Sequence, residues 1–239
     1  MKKSSVIRLA LTLLLTSSLS SCVIYHPHNV DIPLLHEKGE LEVDASISMS
    51  APLLGAPALN GTLSYAPLNH VGVQVAGSFS DINSFYAQAA AGGFIPMGNA
   101  VLEGYVGYGY GTSVHNTPQK KDDTHYRVDG HYGLLFGQLN LGWVNLANGI
   151  FDIGFGLKGG ILSPDFDKKR VLENGETEFM ESFIGHNYLL QPQIMVRTGW
   201  KQMKFSFNIG YAYLTDWSEE NNYFNYEHIS IGLGVHFDF

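Results

Sequence analysis

The chain has 239 residues and a formal net charge of −8, with 27 glycines, 13% aromatic residues and only 15% charged residues. An acidic chain without a basic stripe repels the phosphates of nucleic acid, so we expect no nucleic-acid partner. After Cys22 no apolar run approaches the ~20 residues of a spanning helix, which excludes a bundle of membrane helices.

The first 21 residues have the pattern of a secretory signal peptide. Lys2, Lys3 and Arg8 supply positive charge, and residues 9–15 form an apolar run that is too short to cross a bilayer. We therefore predict a signal peptide at 1–21. The residues at its end indicate that it is a lipoprotein signal peptide.

Residues 19–22, "LSSC", resemble the bacterial lipobox at each of its four positions. The resemblance implies cleavage before Cys22, a diacylglycerol thioether on its sulfur and acylation of its new amino group. Cys22 is also the single cysteine of the chain, so an intramolecular disulfide is excluded. The residues after Cys22 contain no acidic run of the kind that some Bacteroidota use for export to the cell surface. We therefore expect the lipid on the periplasmic leaflet.

After the signal peptide, residues 22–39 contain two prolines and no regular period, which predicts a periplasmic tether. From Glu40 onward apolar and polar residues alternate, as they do in half-buried strands. Residues 40–239 therefore form one predicted domain. We place its strands at 40–50, 59–66, 70–79, 84–95, 100–111, 130–146, 149–161, 185–199, 202–213 and 224–239.

The connectors between these strands alternate between short and long. Tight turns are predicted at 67–69, 96–99, 147–149 and 200–201, and Asn148-Gly149 is a strong hairpin signal. The longer connectors are 51–58, 80–83, 112–129, 162–184 and 214–223. Outer-membrane barrels have this asymmetry, with short periplasmic turns and longer outer loops. An even number of strands then places both termini in the periplasm.

The last strand ends the chain on Phe239. Residues 229–239, "ISIGLGVHFDF", place apolar side chains on one face and small or polar ones on the other. A final strand of this kind, with Phe237 and Phe239 at its end, resembles the assembly signal that bacterial outer-membrane barrels present to their assembly machinery. Together with the lipobox, the chain resembles a small lipid-anchored outer-membrane barrel, and "HNVDIPLLHEKGEL" resembles barrel proteins of Bacteroidota.

These observations predict an all-β fold, a closed antiparallel transmembrane β-barrel of about ten strands, with eight as the alternative. A soluble β-sandwich also alternates, but its apolar faces turn inward. The predicted location is the outer membrane, where the barrel contacts lipid, and its insertion requires the barrel assembly machinery. We expect no cofactor and no metal.

The interior of the predicted barrel contains charged side chains. The inward-facing charges are Glu42, Asp44, Glu103, Asp152, Lys158, Arg197 and Lys204. Buried charges must be paired or hydrated, so they form either a salt-bridged plug or the lining of a narrow selective pore. A barrel of about ten strands is narrow, because water-filled channels are typical of 16–18 strands. We favour the plug.

Enzymatic activity is the second alternative. Glu227, His228 and Ser230 resemble, in that order, the orienting carboxylate, the base and the nucleophile of barrel deacylases that act on lipid A. The deacylase pattern continues with Asn, whereas Ile231 stands here, and alternation turns His228 and Ser230 inward, away from lipid. We therefore expect no catalysis.

The remaining candidates lie in the long connectors. Residues 112–129 contain His115, Asp122, Asp123, His125 and Asp129, which we attribute to solvated loop polarity and not to a metal site. Residues 162–184 and 214–223 are acidic, and loops often carry function. The sequence thus favours a non-catalytic accessory or interaction component with an unidentified protein partner, with a narrow selective pore as the alternative.

Overall fold

The computed structural model describes Tyr25 and residues 28–51, 57–81, 84–118, 125–172, 176–200, 202–215, 226 and 228–239. The predicted signal peptide and Cys22 lie outside these residues, as do most of the acidic connector 214–223 and Glu227. Within the described part of the chain, no helix is long and apolar enough to cross a membrane.

Twelve strands form one antiparallel sheet. In chain order they are β1 (Leu41–Ala51), β2 (Ala58–Leu68), β3 (Val71–Asp81), β4 (Ser84–Met97), β5 (Ala100–Pro118), β6 (His125–Asn145), β7 (Phe151–Val171), β8 (Thr177–Ile184), β9 (Asn187–Trp200), β10 (Met203–Tyr211), β11 (Tyr213–Thr215) and β12 (Ile229–Asp238).

Ten of these strands close into a barrel, which confirms the predicted fold. β1 pairs with β2 on one side and with β12 on the other, so the sheet has no open edge there. The first part of β7 pairs directly with β9, and the last part of β7 pairs with β8. β11 continues the line of β10 along β9.

The predicted alternation of faces is also confirmed. Along β12 the side chains of Ile231 and Leu233 are exposed on the outer surface, whereas Ser230 and His236 are buried inside. The register of β1 and β12 places Ile47 opposite Leu233, so that apolar residues of neighbouring strands share the outer face. A closed barrel with an apolar outer face satisfies the backbone and suits a lipid environment.

The two ends of the barrel differ. The turn end carries the tight turns at 69–70, 98–99 and 146–149 and also the chain terminus at Phe239, whose backbone pairs with Leu41. The turn at 146–149 contains left-handed residues, including Asn148, as the Asn-Gly signal predicted. We call the opposite end the extended end.

At the extended end three strands are longer than predicted. Most of 112–129 and 162–184, expected as loops, continues β5, β6 and β7 and forms β8. The prediction stopped early because the outer face of these strands turns polar, with Asp129, Asp165 and Asp167 in place of apolar residues. The apolar alternation ends there, although backbone pairing does not.

The polar outer face limits the apolar belt to the lower part of the barrel. At about 3.4 Å per residue and a tilt of about 40°, the 21-residue strand β6 rises about 55 Å, more than twice a ~25 Å apolar band. Exposed Trp143 and Trp200 mark the turn end of the belt, and Tyr110, Tyr188 and Tyr211 mark its other boundary. Aromatic girdles at both borders are typical of membrane barrels.

Candidate functional site: the occupied lumen

The lumen of the barrel contains a segment of the chain itself. Residues 28–36, which we call the luminal segment, run through the interior, and Val30, Ile32, Leu34 and Leu35 are buried there. Their partners come from strands around the whole ring. The sequence analysis assigned this stretch to a tether beneath the barrel, and for residues 28–36 that assignment is wrong.

The wall satisfies the backbone of the luminal segment with side chains. The amide of Gln193 both accepts from Val30 N (2.8 Å) and donates to Val30 O (2.7 Å), as a neighbouring strand would do. Asn140 donates to the carbonyl of Asp31 at 3.2 Å, and Gln138 donates to the same oxygen. An isolated extended chain needs such partners because buried backbone groups must be hydrogen-bonded.

Glycines on the inner wall leave the space that the luminal segment fills. A Cβ on Gly156 would lie 2.8 Å from Val30 Cγ1 and 3.0 Å from Ile32, and no other atom group is nearer. A Cβ on Gly142 would lie 2.5 Å from Leu34. A small barrel is normally filled by its own wall side chains, so these inward glycines adapt the lumen to one extended chain.

Asp31 links the luminal segment to the middle of the barrel. Its carboxylate accepts from Thr62 Oγ1 and from Gln88 Nε2, both at 2.6 Å. Gln88 in turn accepts from Lys158 Nζ at 3.0 Å. Lys158 also lies over the ring of Phe136, 4.7 Å from its centroid. The positive charge of Lys158 is thereby coupled to Asp31 through one amide.

Arg197 binds the luminal segment nearer the turn end. Its guanidinium donates to the carbonyls of Ile32 (2.8 Å) and Pro33 (3.0 Å). It also lies 3.3 Å from Asp44 and 3.7 Å from Glu42. Two carboxylates compensate the charge of this buried guanidinium and two carbonyls accept from its terminal nitrogens, whereas its Nε has no hydrogen-bond partner among the described residues.

The other predicted lumen charges are buried as well, but they do not form one continuous network. Lys204 Nζ contacts both oxygens of Asp152, at 2.7 and 2.8 Å. Glu103 accepts from Leu35 N at 2.8 Å and from Asn140 at 2.9 Å, so it binds the luminal segment and not a cation. The predicted plug therefore consists of separate pairs arranged around a chain segment.

A cavity of about 650 Å³ opens below these groups at the turn end. His36, Lys38 and Glu40 line it together with Arg197 and Lys204. Burial raises the pKa of the Glu40 carboxyl, although the backbone N–H groups of His36 and Glu37 donate to it.

One group of side chains in this region has the geometry of metal ligands. Glu42, Asp44 and His236 offer ligand atoms within 4.8 Å of one another. Arg197 contacts both carboxylates, and His236 Nδ1 lies 3.2 Å from Asp44. Because the guanidinium already neutralises the carboxylates, we assign no metal to this group.

At the extended end the lumen is closed by aromatic side chains. The ring of His28 stacks on Tyr86 with centroids 3.7 Å apart, and His28 Nε2 lies 2.9 Å from Tyr132 OH. Tyr25 packs edge-to-face on Tyr132 at 5.3 Å. Phe166 completes this layer. The lumen at this end is therefore filled mainly by aromatic rings, whereas amides and charged groups dominate its middle.

The residues that resemble a deacylase motif do not share one face. Ser230 is buried in the lumen, whereas His228 is exposed and packs against Tyr211 and Tyr226. The prediction that both point inward is wrong for His228, because β12 begins at Ile229 and the alternation does not extend beyond it.

The polar residues predicted in the connector 112–129 are only partly described. Asp129 pairs with Lys169 at 2.9 Å and with Arg127 at 3.3 Å on the outer wall, in a solvated position. His125 opens β6, and the side chain of His115 and residues 122–123 lie outside the described atoms. Asp165 and Asp167 of the connector 162–184 lie on the same polar wall, 3.7 Å from His131 and 3.8 Å from Lys169 respectively.

Comparison with known proteins gives structural matches alone. No protein-family model and no curated protein matches the chain. The outer membrane protease OmpT from Escherichia coli is similar with a TM-score of 0.56 and 8% identity, over 84% of this chain and 94% of that one. The N-terminal barrel domain of Pseudomonas aeruginosa OprF (TM-score 0.39, 9% identity, 84% and 98% covered) and the KdgM porin (0.40, 12%, 83% and 99%) are more distant.

The likeness to OmpT concerns the fold, since the identity is too low to transfer an activity. The closed ring, the apolar belt and this likeness together define a β-barrel of the bacterial outer-membrane type. In this chain the lumen of that barrel is occupied by its own residues 28–36.

Proposed function

We propose that the protein is an outer-membrane lipoprotein barrel whose lumen is a narrow pore, held closed at rest by the luminal segment. The turn end faces the periplasm, as short turns do in barrels of this type. The observation that carries the proposal is the polarity of the wall around the segment. Gln88, Gln138, Asn140, Gln191 and Gln193 are all buried and inward.

A wall of amides suits a hydrated passage, because water supplies the hydrogen-bond partners without which buried polar groups are costly. With the luminal segment in place, four of these amides bind its backbone and Gln88 binds the carboxylate of Asp31. When the segment moves, water replaces it at the same donors and acceptors. The predicted lumen charges comprise four carboxylates and three cations, so the open passage has at most a weak preference for cations.

The proposal is tested by substitutions that fill the lumen from the wall. In Gly156→Val the new side chain enters the space of Val30 and Ile32, which supply the three atoms nearest to its Cβ. We expect wild-type protein to be nearly silent in planar bilayers and the variant to open frequently. Gly159→Val, on the same strand, is the matched control, because a Cβ there meets only ordinary contacts at 3.7 and 3.9 Å.

If the folded Gly156→Val protein carries no more current than the wild type, the pore is rejected. Heat-modifiable migration on a detergent gel shows whether each variant is folded. Frequent openings of the wild type, at the level of the variant, contradict closure by the segment.

The second candidate is the non-catalytic interaction component that the sequence favoured. Its support is β8, which pairs with β7 along one edge and whose other edge has no partner among the described strands. Phe179, Met180 and Ile184 are exposed on β8, above the apolar belt. A free strand edge with apolar side chains in water is a typical binding surface. This candidate is favoured if Gly156→Val carries no current in planar bilayers and a cross-linker at position 179 captures a protein neighbour.

A further inference from the structure

The luminal segment has a defined direction through the barrel. His36 Nε2 lies 2.8 Å from the carbonyl of Gly98, in a tight turn of the turn end. Leu35 is bound a few residues higher, by Glu103. His28 has climbed to the level of Tyr132, which lies beyond the middle of β6. Each step toward the N-terminus is therefore a step toward the extended end.

Tyr25 continues this path and is fixed at the rim. It forms a parallel bridge with Tyr226, three residues before β12 begins at Ile229, and it is 1% exposed. Tyr226 itself is held by Leu214, whose N–H donates to its hydroxyl at 3.0 Å. The chain thus reaches the extended end of the barrel at Tyr25.

The length of the remaining mature chain is short. Cys22 is three residue steps from Tyr25, and an extended chain covers at most about 10–11 Å over that distance. The apolar band of a membrane barrel is about 25 Å tall, and the lumen below is already filled by the luminal segment. A return from Tyr25 to the turn end is therefore impossible.

We infer that the mature N-terminus emerges from the extended end, on the outer face of the membrane. The sequence analysis placed it, with its lipid, beneath the barrel. Acyl chains on Cys22, which the lipobox predicts, enter the outer leaflet instead. Among the described strands, β1 and β12 end near Ala51 and Ile229 at this end of the barrel, while β5–β8 rise further.

The inference rests on the membrane orientation proposed above, and the experiment separates the two. Three single-residue probes are labelled on intact cells with a bulky, membrane-impermeant maleimide. Val23→Cys reports the N-terminus, Lys38→Cys reports the turn end and Phe179→Cys reports the extended end. Lys38 and Phe179 are both exposed. The wild type supplies the background for the thiol of Cys22.

We expect Val23→Cys and Phe179→Cys to be labelled on intact cells, and Lys38→Cys to stay at background until the membrane is permeabilised. Labelling of Phe179→Cys without Val23→Cys overturns the threading of the N-terminus. Labelling of Lys38→Cys without Phe179→Cys overturns the orientation and with it the placement on the outer face. If Val23→Cys does not fold into a heat-modifiable barrel, Ile24→Cys is used instead as the probe of the N-terminus.

Discussion

At the scale of the residue, Arg197 joins the charged side chains of the wall to the luminal segment. It is buried, with two carboxylates and two backbone carbonyls around it. The intact ion pair and the loss of one of its partners have unequal effects on the free energy of unfolding. The intact pair contributes little net stability because desolvation opposes attraction, whereas removal of one partner leaves uncompensated buried charge.

Arg197→Ala should therefore destabilise the barrel by about 3–5 kcal/mol, because Glu42 and Asp44 lose their common cation. The measurement is the free energy of unfolding in detergent with urea, followed by heat-modifiable migration. Lys169→Ala is the control, since its pair with Asp129 lies on the solvated wall and is worth at most about 1 kcal/mol. Equal effects of the two substitutions would contradict this account.

Cys22 carries a prediction that depends on sequence alone. Metabolic labelling with a fatty acid should tag the protein, and Cys22→Ala should abolish the tag, because the predicted thioether requires the sulfur. Ser21→Ala, in which the lipobox cysteine remains, is the comparison that should retain the tag. Persistence of the signal in Cys22→Ala would show that the lipobox resemblance is accidental.

At the scale of the element, β12 both closes the ring and ends the chain. Leu41 N donates to Phe239 O at 3.2 Å, and Phe239 N donates to Leu41 O at 3.0 Å. The ring of Phe239 is exposed, so it contributes little to packing inside the barrel. The backbone and the side chain of this residue therefore have separable roles.

Two changes at Phe239 distinguish these roles. Phe239→Ala keeps the backbone pair with Leu41 and should leave purified barrel nearly as stable as the wild type, while lowering the amount assembled in cells. Deletion of Phe239 removes the backbone pair as well as the aromatic ring, and should reduce assembly further. Quantification of heat-modifiable protein in outer membranes measures the effect. Full assembly of Phe239→Ala would remove the support for an assembly signal at this end.

At the scale of the whole molecule, the asymmetry between the two ends is the basis of the orientation proposed above. The turn end is short and carries the chain terminus, whereas β5–β8 extend well beyond the belt with a charged outer face. Charged groups are excluded from the hydrocarbon region, so the extension lies in water.

An epitope inserted after Gly185, between β8 and β9, should bind antibody on intact cells, because this connector belongs to the extended end. The same epitope at Asn148 should bind only after permeabilisation, because the proposed orientation places the turn of 146–149 in the periplasm. Antibody binding to intact cells measures both. The reverse result would invert the barrel in the membrane.

The sequence by itself determined the class of fold. Period-2 alternation places residues on a face by local geometry alone, so Ile231 and Leu233 were assigned correctly without any tertiary information. Turn chemistry is equally local, and Asn148-Gly149 predicted a hairpin that the barrel contains. The inward position of Arg197, Asp152 and Lys204 followed from the same alternation.

Only the tertiary structure decided what occupies the lumen. Residues 28–36 have no regular period, because their backbone is bound by side chains from several strands and not by one neighbouring strand. The signal that pointed to them was on the wall, in the inward glycines Gly142 and Gly156 and in the inward amide of Gln193. These positions leave space and hydrogen-bonding groups for a chain, but their common partner is defined only when the ring closes and brings distant strands around one axis.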